Sequence, residues 1–349
     1  MGLRLLAILS CLMVLPLDAA ATEGRTADDG ETQTGHRYVY SDGSVYVGKV
    51  RFRRPHGNGR LENSNGDVYE GAFEKGMKKG VGICHYSNGD VYMGFWDDDS
   101  HNGEGVLQYS NGDIYKGDWE HGDRSGKGVY LWDDGSDYSG EWKNDKRHGN
   151  GTMAWSDSSR YAGSWKDGLR DGVGEFYSDR YSYTGEWKND MENGNGSCSF
   201  ASGDSYKGQF SNGVITGKGT YSFADGTVYE GTLVNGKAEG HGLSSWPDGS
   251  IYEGEWKNNQ RHGKGRMQWA NGDIYSGSWI DGVPDGEGEL QLSDGNSYKG
   301  GFSSGMPHGK GTVIQDDGKK LTGNFESGKR VGTFTVTDSS DNKINTITY

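Results

Sequence analysis

The sequence predicts an all-β protein whose strands form an elongated, single-layer antiparallel sheet of tandem β-hairpins, similar to a solenoid. A unit that opens at Tyr252 opens again at Tyr275, 23 residues later, and a fixed period of this size is typical of repeat architectures. Large apolar residues alternate with polar ones within the unit, as in half-buried strands. Between most units stands Asn or Asp followed by Gly, which favours the positive φ of tight hairpin turns.

Each unit opens with a tyrosine, which we number position 0. Position 2 is Gly in every copy, position 4 is usually Trp or Phe, and positions 11 and 13 are Gly in the twelve copies that open with tyrosine. Position 15 is usually apolar and position 17 usually aromatic. A thirteenth, degraded copy begins at Leu321, where Leu replaces the tyrosine. The opening tyrosines are Tyr46, Tyr69, Tyr92, Tyr115, Tyr138, Tyr161, Tyr183, Tyr206, Tyr229, Tyr252, Tyr275 and Tyr298.

The residues at positions 0, 2 and 4 share one face of the sheet, because side chains alternate along a strand. Glycines beside aromatic residues on one face allow a ring to lie over bare backbone. Most of these rings are expected to hold the sheet together. A run of Trp at position 4 in five consecutive units also predicts an aromatic groove for a protein partner, since Trp is enriched at binding hot spots. Its residues are Trp96, Trp119, Trp142, Trp165 and Trp187.

The spaced pattern Y-x-G-x-W, then G-x-G, then an N-G or D-G turn resembles the MORN repeat, over about Tyr46 to Phe334. The resemblance implies a rod of MORN hairpins that acts as a non-catalytic scaffold or docking protein. Some relatives carry such arrays beside lipid-kinase or lysine-methyltransferase domains. No span of this chain is left for either domain, so we expect no enzyme activity. Homodimerisation through terminal strands, as in some family members, is a further expectation.

The two ends of the chain differ from the repeats. Residues 1–21 combine Arg4, the apolar run Leu5 to Leu17 and Ala19-Ala20-Ala21, which is typical of a secretory signal peptide. We therefore predict a secreted, lumenal or periplasmic protein, with an uncleaved membrane anchor or an apolar terminus without a targeting role as the alternatives. Residues 22–35 read as a flexible polar leader, 36–338 as the repeat array with degenerate ends, and 339–349 as a capping strand or tail.

The sequence offers no constellation of residues for catalysis, for a metal or for a cofactor. A G-x-G occurs in nearly every unit and is a repeat feature, not a phosphate loop. Cys84 and Cys198 both occupy position 15, five units apart, which is too far for a disulfide. Two glycosylation sequons, at Asn150 and Asn195, arise from the same G-x-G frame.

Charge bears on the choice of partner. The 36 Lys and Arg against 50 Asp and Glu give a net charge of -14, which disfavours nucleic acid. Basic residues are nevertheless concentrated in the early units, where they suit anionic phospholipid. A membrane-associating module is therefore the alternative to protein docking. Its predicted lipid-contacting residues are Lys49, Arg51, Arg53, Arg54, Lys75, Lys78 and Lys79.

Overall fold

The computed structural model describes residues 33–349, and these form strands joined by turns. The predicted signal peptide lies outside the described residues. The chain divides into two compact units, the first reaching Asp133 and including Trp142–Asp145, the second comprising Asp134–Glu141 and Lys146–Tyr349. No helix that could cross a bilayer occurs between residues 33 and 349.

In the first unit, nine strands each pair antiparallel with the next along the chain. They are β1 (Gln33–Val39), β2 (Val45–Arg51), β3 (Arg54–Glu62), β4 (Val68–Glu74), β5 (Met77–His85), β6 (Val91–Asp97), β7 (Ser100–Gln108), β8 (Ile114–Glu120) and β9 (Asp123–Leu131). The following strand, β10 (Asp137–Lys143), contains residues of both units.

The second unit continues the same order, with consecutive antiparallel pairing from β11 to β28. Its strands are β11 (Lys146–Ala154), β12 (Arg160–Lys166), β13 (Leu169–Tyr177), β14 (Tyr181–Lys188), β15 (Met191–Phe200), β16 (Ser205–Ser211), β17 (Val214–Ser222), β18 (Val228–Val234), β19 (Lys237–Ser245), β20 (Ile251–Lys257), β21 (Gln260–Gln268), β22 (Ile274–Ile280), β23 (Val283–Gln291), β24 (Ser297–Ser303), β25 (Met306–Ile314), β26 (Lys320–Glu326), β27 (Lys329–Thr337) and β28 (Lys343–Thr348).

Glycine pairs make room for the tyrosine of each repeat. Gly163 pairs with Gly174 across one hairpin, and a Cβ added to Gly174 would lie 2.5 Å from Cζ of Tyr161. The tyrosine ring therefore lies on bare backbone, fully buried, and its hydroxyl donates to the carbonyl of Ser164 at 2.9 Å. The predicted stacking of ring on glycine is confirmed.

The hairpin loops at positions 6 and 7 are of two kinds. Most end in Gly, whereas a few place two non-glycine residues at positive φ, as at Asp98 and Asp99. Asn and Asp tolerate this left-handed region better than other side chains. Phe52 and Arg53 also occupy it, with φ of 50° and 58°, although a bulky residue with positive φ is uncommon. The first hairpin loop therefore departs from the composition of the others.

The ends of the array differ in detail from the sequence prediction. Strand β1 begins at Gln33 instead of at residue 36, because a bulge between Gln33 and His36 extends its pairing with β2. In the thirteenth copy Leu321 supplies no ring, and Phe334 covers Gly323 in its place. Strand β28 follows as the predicted capping strand, paired with β27.

Candidate functional site

The five tryptophans that we expected to line a partner groove are buried in the core. Their exposed fractions are 4% for Trp96, 5% for Trp119, 6% for Trp142, and 3% for both Trp165 and Trp187. This burial corrects the predicted groove, because rings enclosed to this extent offer almost no surface to a partner. The reason is that each ring is covered by groups from its own repeat and the preceding one.

Trp165 illustrates this packing. Its ring meets Tyr161 of its own repeat edge-on at 5.1 Å and Tyr138 of the preceding repeat at 5.5 Å. The indole N–H donates to the carbonyl of Gly151 at 3.1 Å. The guanidinium of Arg147 covers the ring at 4.2 Å. Edge-to-face rings and cation–π contacts each stabilise such a cluster beyond the burial of area alone.

A basic residue at position 9 is a recurrent part of this core that the sequence prediction missed. Arg147 is half-buried, donates to the carbonyl of Gly168 at 2.9 Å, and burial lowers the pKa of its guanidinium. The signal was present in the sequence, since Lys or Arg stands two residues before the first Gly of G-x-G in several repeats. The residues that cover a Trp ring in this way are Lys78, Arg124, Arg147, Arg170 and Arg261.

His101 takes position 9 in the third repeat. Its ring stacks on Tyr92 with centroids 3.6 Å apart, and its Nε2 lies 2.8 Å from the hydroxyl of Tyr86. Burial lowers the pKa of the imidazole to about 4. The side chain is therefore neutral at physiological pH and replaces a cation with an aromatic stack.

The opposite face of the sheet, formed by positions 1, 3, 12 and 14, is open. In the second unit it forms a groove of about 1100 Å³, lined by glycine backbone and polar side chains. Charges of both signs line it, including Lys207 and Lys218 on one strand pair and Glu230 and Glu253 on the next strands. The arrangement offers hydrogen bonds and charges to a ligand that lies along the sheet.

In the first unit the same face carries an apolar patch, which we call the docking patch. Its members are neighbours across strands, because Val81 pairs with Phe95 and Met93 pairs with both Ile83 and Val106. Phe95 is 48% exposed. Most positions on this face are polar in other repeats, so the patch is a local departure from the pattern. It consists of Val81, Ile83, Met93, Phe95 and Val106.

The predicted lipid-contacting residues divide into two groups. Lys78 packs over the rings of Tyr69 and Trp96, and Lys79 forms an ion pair with Asp97 at 2.8 Å. The ammonium groups of these two lysines therefore already interact with other groups of the protein. The other five side chains are exposed: Lys49, Arg51, Arg53, Arg54 and Lys75.

Phe52 lies within the exposed basic group and was not part of the prediction. It is 77% exposed at the tip of the loop between β2 and β3, where the guanidinium of Arg51 lies 5.4 Å from its ring centroid. Every other repeat has a charged or polar residue at this position. That contrast was readable in the sequence once the repeats were aligned.

The remaining chemically active groups have structural roles. Carboxylates after the turns accept hydrogen bonds from backbone N–H groups of the next repeat, as Asp67 does from Ser87 at 2.8 Å. Cys84 and Cys198 are free and buried, and burial raises the pKa of the Cys198 thiol to about 11. The sequon residues Asn150 and Asn195 are exposed on the open face.

Comparison with known proteins gives a family match and weak structural similarities. The family model described as MORN repeat matches twelve segments, from residues 46–68 to residues 298–320. No curated protein sequence matches the chain.

Two solved structures illustrate the structural similarity. The TCP10 domain of Danio rerio CPAP, solved with a peptide of Danio rerio STIL, has 11% identity and a TM-score of 0.17, covering 90% of this chain and 100% of that one. The virginiamycin B lyase of Staphylococcus aureus has 12% identity and a TM-score of 0.14, covering 93% and 97%. Similarities of this size carry no functional information.

Proposed function

The chain belongs to the MORN-repeat family, and we propose that it is a non-catalytic docking scaffold that binds a protein partner on the open face of its sheet. The docking patch carries this proposal. Exposed apolar clusters surrounded by polar residues are typical of protein interaction sites. Phe95, the aromatic member of the patch, is an anchor of the kind that dominates binding energy in such sites. The proposal replaces the buried tryptophan groove as the contact surface.

The second unit supports the same function with polar groups. Its groove is open along the sheet and larger than most small-molecule pockets, which suits an extended segment of a partner chain. Lys207 and Glu230 would fix the register of such a segment through charge. We expect the scaffold to have no catalytic activity, because the sequence contains no catalytic motif.

Three further expectations belong to this proposal. The predicted signal peptide assigns the protein to a secreted, lumenal or periplasmic location. The net charge of -14 favours protein over nucleic acid as partner. The terminal strands β1 and β28 would pair with a second copy in a homodimer, since edge strands present unpaired backbone groups.

Replacing Phe95 by Asp is expected to remove partner capture while the β-sheet circular dichroism is unchanged. The side chain is 48% exposed on the face away from the ring core, and a buried charge at an interface is costly. The matched control is Ile280→Asp, since Ile280 is 47% exposed and lies outside the patch. Proteins captured from native extract by immobilised wild type and Ile280→Asp, and lost with Phe95→Asp, would support the patch. Identical captured sets for all three would refute it.

A second candidate function is membrane association, and Phe52 is the observation that favours it. An exposed aromatic ring flanked by Arg51 and Arg53 suits the boundary between anionic headgroups and acyl chains. Local basic charge would act at this loop despite the acidic chain as a whole. Export and membrane association are compatible, because this loop would bind a membrane peripherally.

The wild-type protein is expected to float with vesicles that contain phosphatidylserine. Phe52→Ala and the triple replacement of Arg51, Arg53 and Arg54 by Ser are expected to stay at the bottom of the gradient. Binding should weaken as salt rises, because salt screens exposed charges. The control removes three exposed lysines of the second unit: Lys188, Lys257 and Lys299. If the control loses flotation equally, binding depends on the overall positive charge of the protein and not on this loop. Flotation with neutral vesicles would exclude the electrostatic part of the hypothesis.

A further inference from the structure

A second set of aromatic side chains occupies position 17, at the edge of the ring-bearing face. In the second unit four consecutive repeats contribute to it, and we call these residues the edge row. Unlike the tryptophans at position 4, they are only partly buried, and Phe223 is 44% exposed. Trp246 and Trp269 pack one side against the core. The edge row consists of Phe200, Phe223, Trp246 and Trp269.

The backbone of each edge-row residue is held by a turn, although the side chain is accessible. Each member begins a tight turn, and the backbone N–H of Trp246 donates to the carbonyl of Ser250 at 3.0 Å. The backbone N–H of Trp269 donates likewise to the backbone carbonyl of Asp273 at 2.9 Å. The rings of Trp246 and Trp269 are also restrained by packing against the core, so these two rings lose little conformational entropy when a ligand covers them.

The indole N–H groups of the edge row differ from those of the core. Trp256 and Trp279 donate to the carbonyls of Gly242 and Gly265. In the described part of the chain, no such bond engages the indole N–H of Trp246 or Trp269. These two groups remain as donors for the carbonyl of a ligand.

Negatively charged residues lie in the turns that follow the edge-row residues. Each of the four turns contains one Asp and neither Lys nor Arg. Hydrogen bonds from backbone N–H groups, of Thr227 and Ser293 respectively, lower the pKa of Asp225 and Asp273, so both carboxylates are ionised at neutral pH. Positive charge on a ligand would therefore favour its binding at this edge. The four carboxylates are those of Asp204, Asp225, Asp248 and Asp273.

The spacing of the rings limits the conformation of the ligand. Consecutive members are two strands apart, which corresponds to about 9.6 Å at the usual strand separation. A polyproline II helix advances about 3.1 Å per residue with three residues per turn, or about 9.3 Å per turn. One turn of such a helix therefore matches one repeat of the sheet. Aromatic-lined grooves are the usual receptors for this conformation.

We infer that the edge row binds a basic, proline-rich segment in the polyproline II conformation. Prolines would lie against the rings, one turn per repeat, while Arg or Lys side chains reach the carboxylates of the turns. Four repeats accommodate about twelve residues at three residues per turn. The edge row lies on the ring-bearing face and the docking patch on the open face, so this inference does not depend on the proposed function.

The test uses the full chain and a fluorescein-labelled dodecapeptide with four copies of Pro-Pro-Arg. Fluorescence polarisation is expected to show saturable binding that weakens with salt. Trp246→Ala and Phe223→Ala should each lower the affinity about tenfold, as removal of an anchoring ring commonly does. Trp246→Phe should retain part of the affinity, because the ring remains while the N–H donor is lost.

Control peptides and a control variant separate the contributions. A dodecapeptide of Gly-Gly-Arg has the same charge without the polyproline II preference, and one of Pro-Pro-Glu reverses the charge. Both should bind at least tenfold more weakly. The control variant is Val283→Ala, since Val283 is 43% exposed and lies outside the edge row, and its affinity should equal that of the wild type.

Three results would overturn the inference. Equal affinity for the Pro-Pro-Arg and Gly-Gly-Arg peptides would reduce binding to charge alone. Equal losses with Phe223→Ala and Val283→Ala would remove the edge row as the binding site. Absence of saturable Pro-Pro-Arg binding at millimolar concentration and low salt would exclude this ligand class. If Trp246→Ala alters the circular dichroism spectrum, its loss of affinity reflects misfolding, and the affinity of Phe223→Ala alone tests the edge row.

Discussion

Replacing Gly151 by Val is expected to lower the free energy of unfolding by about 2 to 4 kcal/mol. A Cβ at this position would lie 2.5 Å from Cζ of Tyr138, well inside van der Waals contact. The tyrosine has no room to retreat, because it is fully buried and meets Trp165 at 5.5 Å. Overpacking of this kind costs about 1 to 3 kcal/mol. Displacing the hydroxyl from the carbonyl of Glu141 adds about 1 kcal/mol.

The measurement is urea unfolding followed by tryptophan fluorescence, with Asn150→Val as the matched control. Asn150 precedes Gly151 on the same strand, but its side chain is exposed on the open face. The control should stay within about 0.5 kcal/mol of wild type, as surface substitutions usually do. Equal midpoints for Gly151→Val and wild type would show that the tyrosine does not depend on bare backbone.

Replacing Trp165 by Leu is expected to destabilise the protein by about 3 kcal/mol, within the range of large-to-small core substitutions. The change removes the edge contacts with Tyr161 and Tyr138 and the cation–π contact with Arg147. It also leaves the carbonyl of Gly151 without the indole donor that lies at 3.1 Å. Arg147 would then cover a smaller apolar side chain while remaining charged.

Trp155→Leu provides the comparison, because Trp155 is only partly buried at position 17. Its ring contact with Phe176 is longer, at 6.1 Å, so the cost should be about 1 kcal/mol or less. Thermal unfolding by circular dichroism distinguishes the two. If Trp165→Leu melts at the same temperature as the wild type, the ring at position 4 is dispensable to the stability of the fold.

The fold could be predicted because the sequence repeats its constraints. A glycine at position 2 and another at position 13 are required by the same tyrosine, so their joint recurrence specifies both spacing and face. The Asn-Gly and Asp-Gly turns specify where one hairpin ends. The thirteenth copy shows the limit of this reasoning, since Phe334 replaces a glycine and covers Gly323 from the other strand.

The accessible surfaces were harder to predict, for a physical reason. Trp165 and Trp269 are the same residue type on the same face, but the neighbours of the first cover it from both sides. Exposure therefore depends on position across the sheet, which residue identity does not convey. The docking patch was overlooked because Phe95 and its neighbours stand at variable positions of the repeat, where a search for recurring residues gives no signal.

Pairing between neighbours in sequence also governs how each unit acquires its structure. Every described strand pairing within a unit joins consecutive strands, so no hairpin must wait for a distant segment to arrive. The entropy lost in closing each loop is small, since it grows with the number of residues between the paired ends. Chains with such local topology fold quickly for their size. The repeats can consequently form one after another as the polypeptide emerges during synthesis.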